Sequence, residues 1–169
     1  TDPFGCLWTH TEKIAHLDRC AMYNVAPQDY VWPTLKDFYW PERAEILQQW
    51  NENRPDDKFS MLDMGAGYWE HMWRLLGAEE ALMITIEDPD TFDFMLDGLD
   101  KLFHQFLDIM VQYPVDAILI SDDWCDQRSC MMGPDRWRKH IKPRLEKLYR
   151  KIHDHGILTV NHVCGNVTP

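Results

Sequence analysis

The sequence predicts an α/β fold that contains part of a TIM, or (β/α)8, barrel. Nearly unbroken apolar runs at residues 115–121 and 157–163 are typical of strands covered on both faces of a parallel sheet. A long helical pattern separates the two runs, and such alternation of strand and helix indicates the α/β class. No glycine-rich phosphate loop follows a predicted strand, which disfavours a dinucleotide-binding fold. A complete barrel takes about 250 residues, so the 169 residues of this chain would supply about half of one.

The first 57 residues are rich in aromatic residues and proline and show little periodicity. Turns, short strands and one helix near residues 41–49 are expected there. A further strand is predicted at residues 59–64, before the turn at 65–67, and a helix follows at about 68–76. We expect residues 1–169 to form a single incomplete barrel domain truncated at both ends, because the chain lacks an initiator methionine and Pro169 closely follows an apolar strand.

Two long helices are predicted in the second half of the chain. Asp88-Pro89-Asp90 supplies a cap and a first-turn proline, and apolar residues then recur at helical spacing as far as Met110. The second helix opens at Gly133-Pro134-Asp135 and ends at Gly156, since glycine commonly follows the last helical turn. Pro143 lies inside this helix and should kink it.

Composition narrows the classes of partner. The formal net charge of −11 disfavours nucleic acid and anionic membranes, because both require a basic surface, so a small-molecule substrate is expected. No run reaches the roughly 18 apolar residues of a membrane helix, and no signal-peptide pattern opens the chain, so a cytoplasmic location is expected. The five cysteines are odd in number and irregularly spaced, which predicts reduced thiols rather than a disulfide framework.

Two carboxylates follow the strand at 115–121. Asp122 and Asp123 open a loop that runs to Met132, longer than the usual two to six or so residues between strand and helix. Long loops at the carboxyl ends of barrel strands hold active sites, and adjacent like charges raise a pKa towards values useful in acid or base catalysis. Both residues are therefore catalytic candidates. Alternatively, the acids cap N–H groups of their own loop, with Arg128 as an ionic partner.

His162 and Cys164 lie two positions apart at the end of the last predicted strand. Alternate residues of a strand point to the same side, so the imidazole and the thiol should face one site. These donors suit zinc, and a catalytic zinc uses three protein ligands and one open position. Alternatively, both are ordinary core residues, since cysteine is often buried and histidine often satisfies a buried carbonyl.

Tryptophans near strand ends offer a wall for a flat ligand. Trp69, Trp73 and Trp124 have this position in the sequence. Ordinary packing in the core and loops is the simpler interpretation of most of the aromatic residues. Cys6, Cys20 and Cys130 show no partner pattern and are interpreted as structural.

Several segments together resemble the uroporphyrinogen decarboxylase superfamily. The resemblance covers nearly the whole chain and is strongest after Val115. Its segments are residues 115–124 (Val-Asp-Ala-Ile-Leu-Ile-Ser-Asp-Asp-Trp), 133–137 (Gly-Pro-Asp-Arg-Trp), 141–144, 161–167 (Asn-His-Val-Cys-Gly-Asn-Val), 2–8, 67–70 and 76–77.

The resemblance implies one of two chemistries on the same barrel. One branch decarboxylates uroporphyrinogen without a metal, and the other transfers methyl groups between corrinoids and thiols or related acceptors with zinc. The His-x-Cys-Gly pattern of His162, Cys164 and Gly165 resembles the methyltransferase branch. A third zinc ligand, a cysteine, would then lie beyond Pro169, methyl-corrinoid would be the co-substrate, and a corrinoid protein is a possible partner.

The resemblance also assigns expected roles and leaves alternatives. Asp122 and Asp123 would contact substrate or steer a proton, and Glu70, Trp73 and Trp124 would bind substrate. Trp73 stands where the decarboxylase branch has a substrate-contacting tyrosine, which weakens that reading, and Cys125 replaces a glycine usual in relatives. The alternatives are uroporphyrinogen decarboxylase of porphyrin biosynthesis and a non-catalytic corrinoid- or zinc-binding relative.

Overall fold

The computed structural model describes residues 1–38, 40–55 and 57–167. The amino-terminal part contains an antiparallel hairpin of β1 (Leu7–His10) and β2 (Ala15–Arg19), two 3-10 turns, and α1 (Trp40–Asn53). The predicted helix near 41–49 is therefore present and four residues longer at its carboxyl end.

A parallel sheet forms the centre of the remaining chain. Its strands are β3 (Met61–Ala66), β4 (Ala117–Ser121) and β5 (Leu158–His162), in the order β3-β4-β5. Each lies within two residues of its predicted position. The sheet confirms the α/β prediction, and within the described ranges it is an open part of a barrel rather than a closed one.

Helices α2 (Tyr68–Leu76), α3 (Ala78–Glu87) and α4 (Pro89–Met110) connect β3 to β4. Both α2 and α4 match their predicted bounds, and Asp88 caps α4 by accepting the Thr91 N–H at 3.1 Å. Helix α3, which follows α2 after Gly77, was not predicted from the sequence.

The connection from β4 to β5 is a helix interrupted before its proline. It consists of α5 (Pro134–Arg136), a π-helical turn (Trp137–Ile141) and α6 (Lys142–His153). Pro143 cannot donate a backbone hydrogen bond, and its ring excludes the normal carbonyl position one turn earlier, so the helix widens there. The predicted kink takes this form. The helix ends at His153, three residues before Gly156.

The two faces of the parallel sheet differ in how far other parts of the chain shield them from solvent. Ile118 and Ile120 of β4 are fully buried against the helices, together with a core drawn largely from α2 and α4. On the other face, Leu119 of β4 pairs with Val160 of β5, and Leu119, Leu158 and Val160 remain open to solvent in part, whereas Ala117, which pairs with Leu158, is buried. Among the described residues, no helix is both long and apolar enough to cross a membrane.

Candidate metal centre

The parallel register brings two strand ends together. Ser121 of β4 pairs with His162 of β5, and the Asp122 N–H continues the ladder by donating to the His162 carbonyl at 2.9 Å. Beyond this point the Asp123 carboxylate approaches the segment that follows β5, where its Oδ1 accepts the Cys164 N–H at 2.7 Å. The structure therefore places Asp123, His162 and Cys164 side by side at the carboxyl end of the sheet.

The three side chains present donor atoms of different kinds to a common point. The Cys164 Sγ and His162 Nε2 atoms lie 3.4 Å apart, and that Nε2 lies 3.7 Å from Asp123 Oδ1. All three donor atoms fall within 4.8 Å of one another. The His162 side chain is 58% exposed and that of Asp123 is 36% exposed, so the cluster opens to solvent.

This donor set fits a zinc ion. Tetrahedral zinc with Zn–N near 2.0 Å and Zn–S near 2.3 Å separates nitrogen and sulfur ligands by about 3.5 Å, close to the 3.4 Å in the structure. Imidazole, thiolate and carboxylate are all ligands that zinc accepts. Without a metal, the pKa of Cys164 is raised. The main cause is the hydrogen bond from its thiol to Asp123, and partial desolvation is the next largest cause. A cation at this point would therefore be needed to hold the sulfur as thiolate.

Asp122 faces the opposite way from Asp123. It is fully buried, and its carboxylate accepts the N–H groups of Trp69 at 3.0 Å and Glu70 at 2.9 Å, at the amino end of α2. Burial raises its pKa to about 7, and the two N–H donors oppose that shift. Asp122 thus caps α2, and its predicted catalytic role stays a prediction.

The sequence allowed Asp122 and Asp123 to cap N–H groups within their own loop, but Asp126 makes such contacts instead. Asp126 Oδ1 accepts the N–H groups of Arg128 and Ser129 at 2.7 and 2.9 Å. The sequence signal for this turn is an aspartate followed by three polar residues, Gln127 to Ser129.

Glu70, on α2, contacts Asp123 of the candidate metal site. Its carboxylate accepts the backbone N–H of Asp123 and forms an ion pair with Arg74. Burial is the main cause that raises the pKa of Glu70, while Arg74 lowers it. The Arg74 guanidinium lies 5.8 Å from the ring of Trp8 and 5.4 Å from that of Trp73. Sequence reasoning missed this arginine, although its spacing of four from Glu70 is the usual one for a helical ion pair.

The two tryptophans predicted to bind substrate lie in different surroundings. Trp73 is half-buried on α2 beneath Arg74. Trp124 is only 8% exposed and packs against Trp137, with ring centroids 5.2 Å apart. Substrate binding by Glu70, Trp73 and Trp124 stays a prediction.

A separate cavity of about 520 Å³ lies on the helix side of β3. Phe38, Phe103 and Phe106 line it together with His71, whose pKa burial lowers to about 4. Asp123, His162 and Cys164 are not among its lining residues, so this cavity and the three candidate metal ligands are distinct features.

Residues 57–169 match the model of the family described as uroporphyrinogen decarboxylase (URO-D). Among solved structures, a methyltransferase from Methanosarcina mazei superposes with a TM-score of 0.75 at 22% identity, over 98% of this chain and 48% of that one. At this identity the likeness shows the fold alone, and the chain spans about half the length of that neighbour. No curated protein sequence gives a significant match.

Proposed function

The chain belongs to the uroporphyrinogen decarboxylase family, and on this premise we propose that it acts in zinc-dependent methyl transfer between a methyl-corrinoid and a thiol or related acceptor. The observation that carries the proposal is the 3.4 Å contact between the Cys164 thiol and the His162 imidazole, beside the Asp123 carboxylate. Metal-free decarboxylation has no need of two adjacent soft donors. The methyltransferase identity of the structural neighbour agrees with this choice.

His162 and Cys164 would hold the zinc, and the resemblance to the methyltransferase branch adds a cysteine beyond Pro169 as the third ligand. When bound, zinc acts as a Lewis acid that lowers the pKa of the acceptor thiol and holds it as thiolate for the corrinoid methyl group. Asp123 fixes the backbone at Cys164 through its 2.7 Å hydrogen bond. Its exposed carboxylate is also suitably placed to take the proton that the acceptor thiol releases.

Neighbouring residues would keep Asp123 in place and receive the substrate. The Glu70 carboxylate accepts the Asp123 N–H, and an ion pair with Arg74, also on α2, holds that carboxylate in position. Trp73, next to Arg74, and Trp124, next to Asp123 in the chain, are the proposed substrate contacts. The proposal includes a corrinoid protein as the partner of the whole enzyme.

Uroporphyrinogen decarboxylase remains a second candidate, because the matching family model carries that description. In that case Asp122 or Asp123 would lie near the substrate and no metal would be required. The buried position of Asp122 makes Asp123 the better placed of the two.

Side-by-side assays separate these chemistries. Methyl transfer from methylcobalamin to a thiol should be lost with a chelator and restored by zinc, and Cys164→Ser should reduce it about 100-fold or more, because a hydroxyl replaces a thiolate ligand. Cys20→Ser, distant in sequence from the donor cluster, is the matched control and should retain the activity.

Two other outcomes would overturn the proposal. Chelator-insensitive decarboxylation of uroporphyrinogen, unaffected by Cys164→Ser, would establish the second candidate. Inactivity in both assays with corrinoid still bound would instead identify a non-catalytic relative.

A further inference from the structure

Two cysteines in the loop after β4 lie directly opposite each other. Cys125 and Cys130 form an isolated antiparallel bridge, flanked by hydrogen bonds from Met131 N to the Trp124 carbonyl and from Asp126 N to the Ser129 carbonyl, both 2.9 Å. The pair thus occupies a position without backbone hydrogen bonds of its own, where opposite Cα atoms are about 4.5 Å apart and side chains approach closely. Each thiol also influences the pKa of the other, as expected of two sulfur atoms that lie close together.

This geometry suits a disulfide bond. Disulfides join Cα atoms that are roughly 4.4 to 6.8 Å apart, with both Cβ atoms on the same side of the backbone. Residues paired across an antiparallel bridge meet both conditions. A bond between Cys125 and Cys130 therefore requires only small rotations of two side chains that lie opposite each other.

The hairpin between the two cysteines holds the segment that follows Cys164. The Asp126 carbonyl accepts the Asn166 N–H at 2.7 Å, and the Arg128 carbonyl accepts the Asn166 side-chain amide at 2.9 Å. Gly165 packs so closely that an added Cβ would lie 2.5 Å from the Asp126 carbonyl oxygen. A change in the rigidity of the hairpin should therefore also change the mobility of Gly165 and Asn166, which directly follow the candidate zinc ligand Cys164.

We propose that Cys125 and Cys130 are a reversible dithiol–disulfide pair, whose oxidised form locks the hairpin of residues 125–130 against Gly165 and Asn166. The oxidant is a low-molecular-weight disulfide. One protein thiolate attacks it, forming a mixed disulfide and releasing one small thiol. The second protein thiolate then attacks the mixed disulfide and releases the other small thiol, so two protein thiols and one small disulfide give one protein disulfide and two small thiols.

The two thiols share one cavity. Cys130 is half-buried and Cys125 is buried, and both line a cavity of about 240 Å³ together with Trp124, Trp137 and Val167. Either thiol can make the first attack, and the other then resolves the mixed disulfide. A structural metal needs about four ligands, whereas in the described ranges Cys125 and Cys130 belong to no cluster of three or more metal-binding side chains.

Trypsin provides a direct assay, because Arg128 lies between the two cysteines. The protein is equilibrated with reduced and oxidised glutathione, quenched with acid, alkylated and digested. A disulfide would join the peptide 102–128 to the peptide 129–136, which otherwise separate. We expect the joined peptides to carry more than half of Cys125 under conditions in which Cys20 remains alkylatable, and dithiothreitol to reverse the link.

Variants test each part of the proposal. Cys125→Ser should leave Cys130 as a mixed disulfide with glutathione, and Cys20→Ser should leave the linked peptides unchanged. Hydrogen exchange at the Asn166 amide should slow about threefold or more on oxidation, since the hairpin opens less often. Absence of the linked peptides in the folded protein, or linkage to Cys164 instead, would overturn the pair. Formation of the bond without slower exchange at Asn166 would overturn the lock.

Discussion

His71 shows how strongly burial can change a single residue. Its ring is enclosed between Phe4 and Phe103, and its Nδ1 lies 2.8 Å from the Gly67 carbonyl, which can only accept, so the neutral ring donates from Nδ1. Loss of hydration on burial lowers its pKa from 6.5 to about 4. The unfolded chain therefore binds a proton between these two pH values that the folded chain excludes.

The pH dependence of stability should carry this signature. A lowered folded-state pKa contributes stability that is present above pH 6.5 and lost as the pH falls to about 4, by about 3 kcal/mol in all. His71→Gln keeps a donor for Gly67 but does not titrate, so the variant should lose about that much less than wild type on acidification. Urea unfolding of both proteins at pH 7.5 and 4.5 measures the difference. Equal losses in the two proteins would contradict the burial of a neutral His71.

Some individual residues of the candidate site could be predicted from the sequence. The alternation of strand residues placed His162 and Cys164 on one side, and the structure agrees. The sequence could not choose between Asp122 and Asp123, because the regular alternation ends with the strand and the next turn decides which acid faces His162. The positions of Glu70 and Arg74 relative to the site depend on how α2 packs against β4, and no local sequence pattern predicts that packing.

Among the elements, the amino end of α2 packs closely against the carboxyl end of β4. Gly67 precedes the helix, and a Cβ built on it would lie 2.6 Å from the Cβ and Cγ atoms of Asp122. The absence of a side chain at Gly67 lets the helix approach the buried carboxylate that caps it. Helix α2 and the end of β4 are thereby fixed relative to each other.

Gly67→Ala should therefore destabilise the protein by about 2 kcal/mol, because the added methyl group forces helix and strand apart. Gly156→Ala is the matched control. It also adds a methyl group, but into open space, and carries only the roughly 1 kcal/mol cost of a positive φ. Denaturant unfolding compares the two variants. A smaller loss for Gly67→Ala than for Gly156→Ala would show that the junction yields easily.

The elements also show why α4 was predictable and α3 was not. Asp88, Pro89 and a sustained apolar stripe mark the start and the buried face of α4. In α3, Ile84 is buried while Met83 and Ile86 are exposed, so apolar residues lie on both faces and no single stripe marks the helix. Tertiary packing of α3 against its neighbours supplies what its sequence pattern lacks.

For the whole molecule, one face of the sheet has little cover. Met61, Leu158 and Val160 remain 44%, 58% and 38% exposed, and β3 and β5 are the edges of the described parallel sheet. We propose that residues 1–169 form one incomplete barrel domain truncated at both ends, in which further strands would cover these residues. Unpaired strand edges beside an apolar face favour association between chains.

The isolated 169-residue chain should consequently self-associate. Sedimentation at increasing protein concentration should show dimers or larger species, and Leu158→Lys should reduce them by placing a charge on the open face. Ile46→Lys, on α1 and also exposed, is the control and should have little effect. A monomer that unfolds cooperatively at every concentration would show that the chain is a complete domain.

X-ray absorption at the zinc edge tests directly whether His162 and Cys164 hold zinc, as proposed. After loading with about one zinc per chain, the spectrum should show sulfur at about 2.3 Å and nitrogen or oxygen at about 2.0 Å. Cys164→Ser should remove one sulfur neighbour and weaken binding, while Cys20→Ser should change neither. Zinc bound as tightly by Cys164→Ser, with the same number of sulfur neighbours as in wild type, would show that Cys164 is not a zinc ligand.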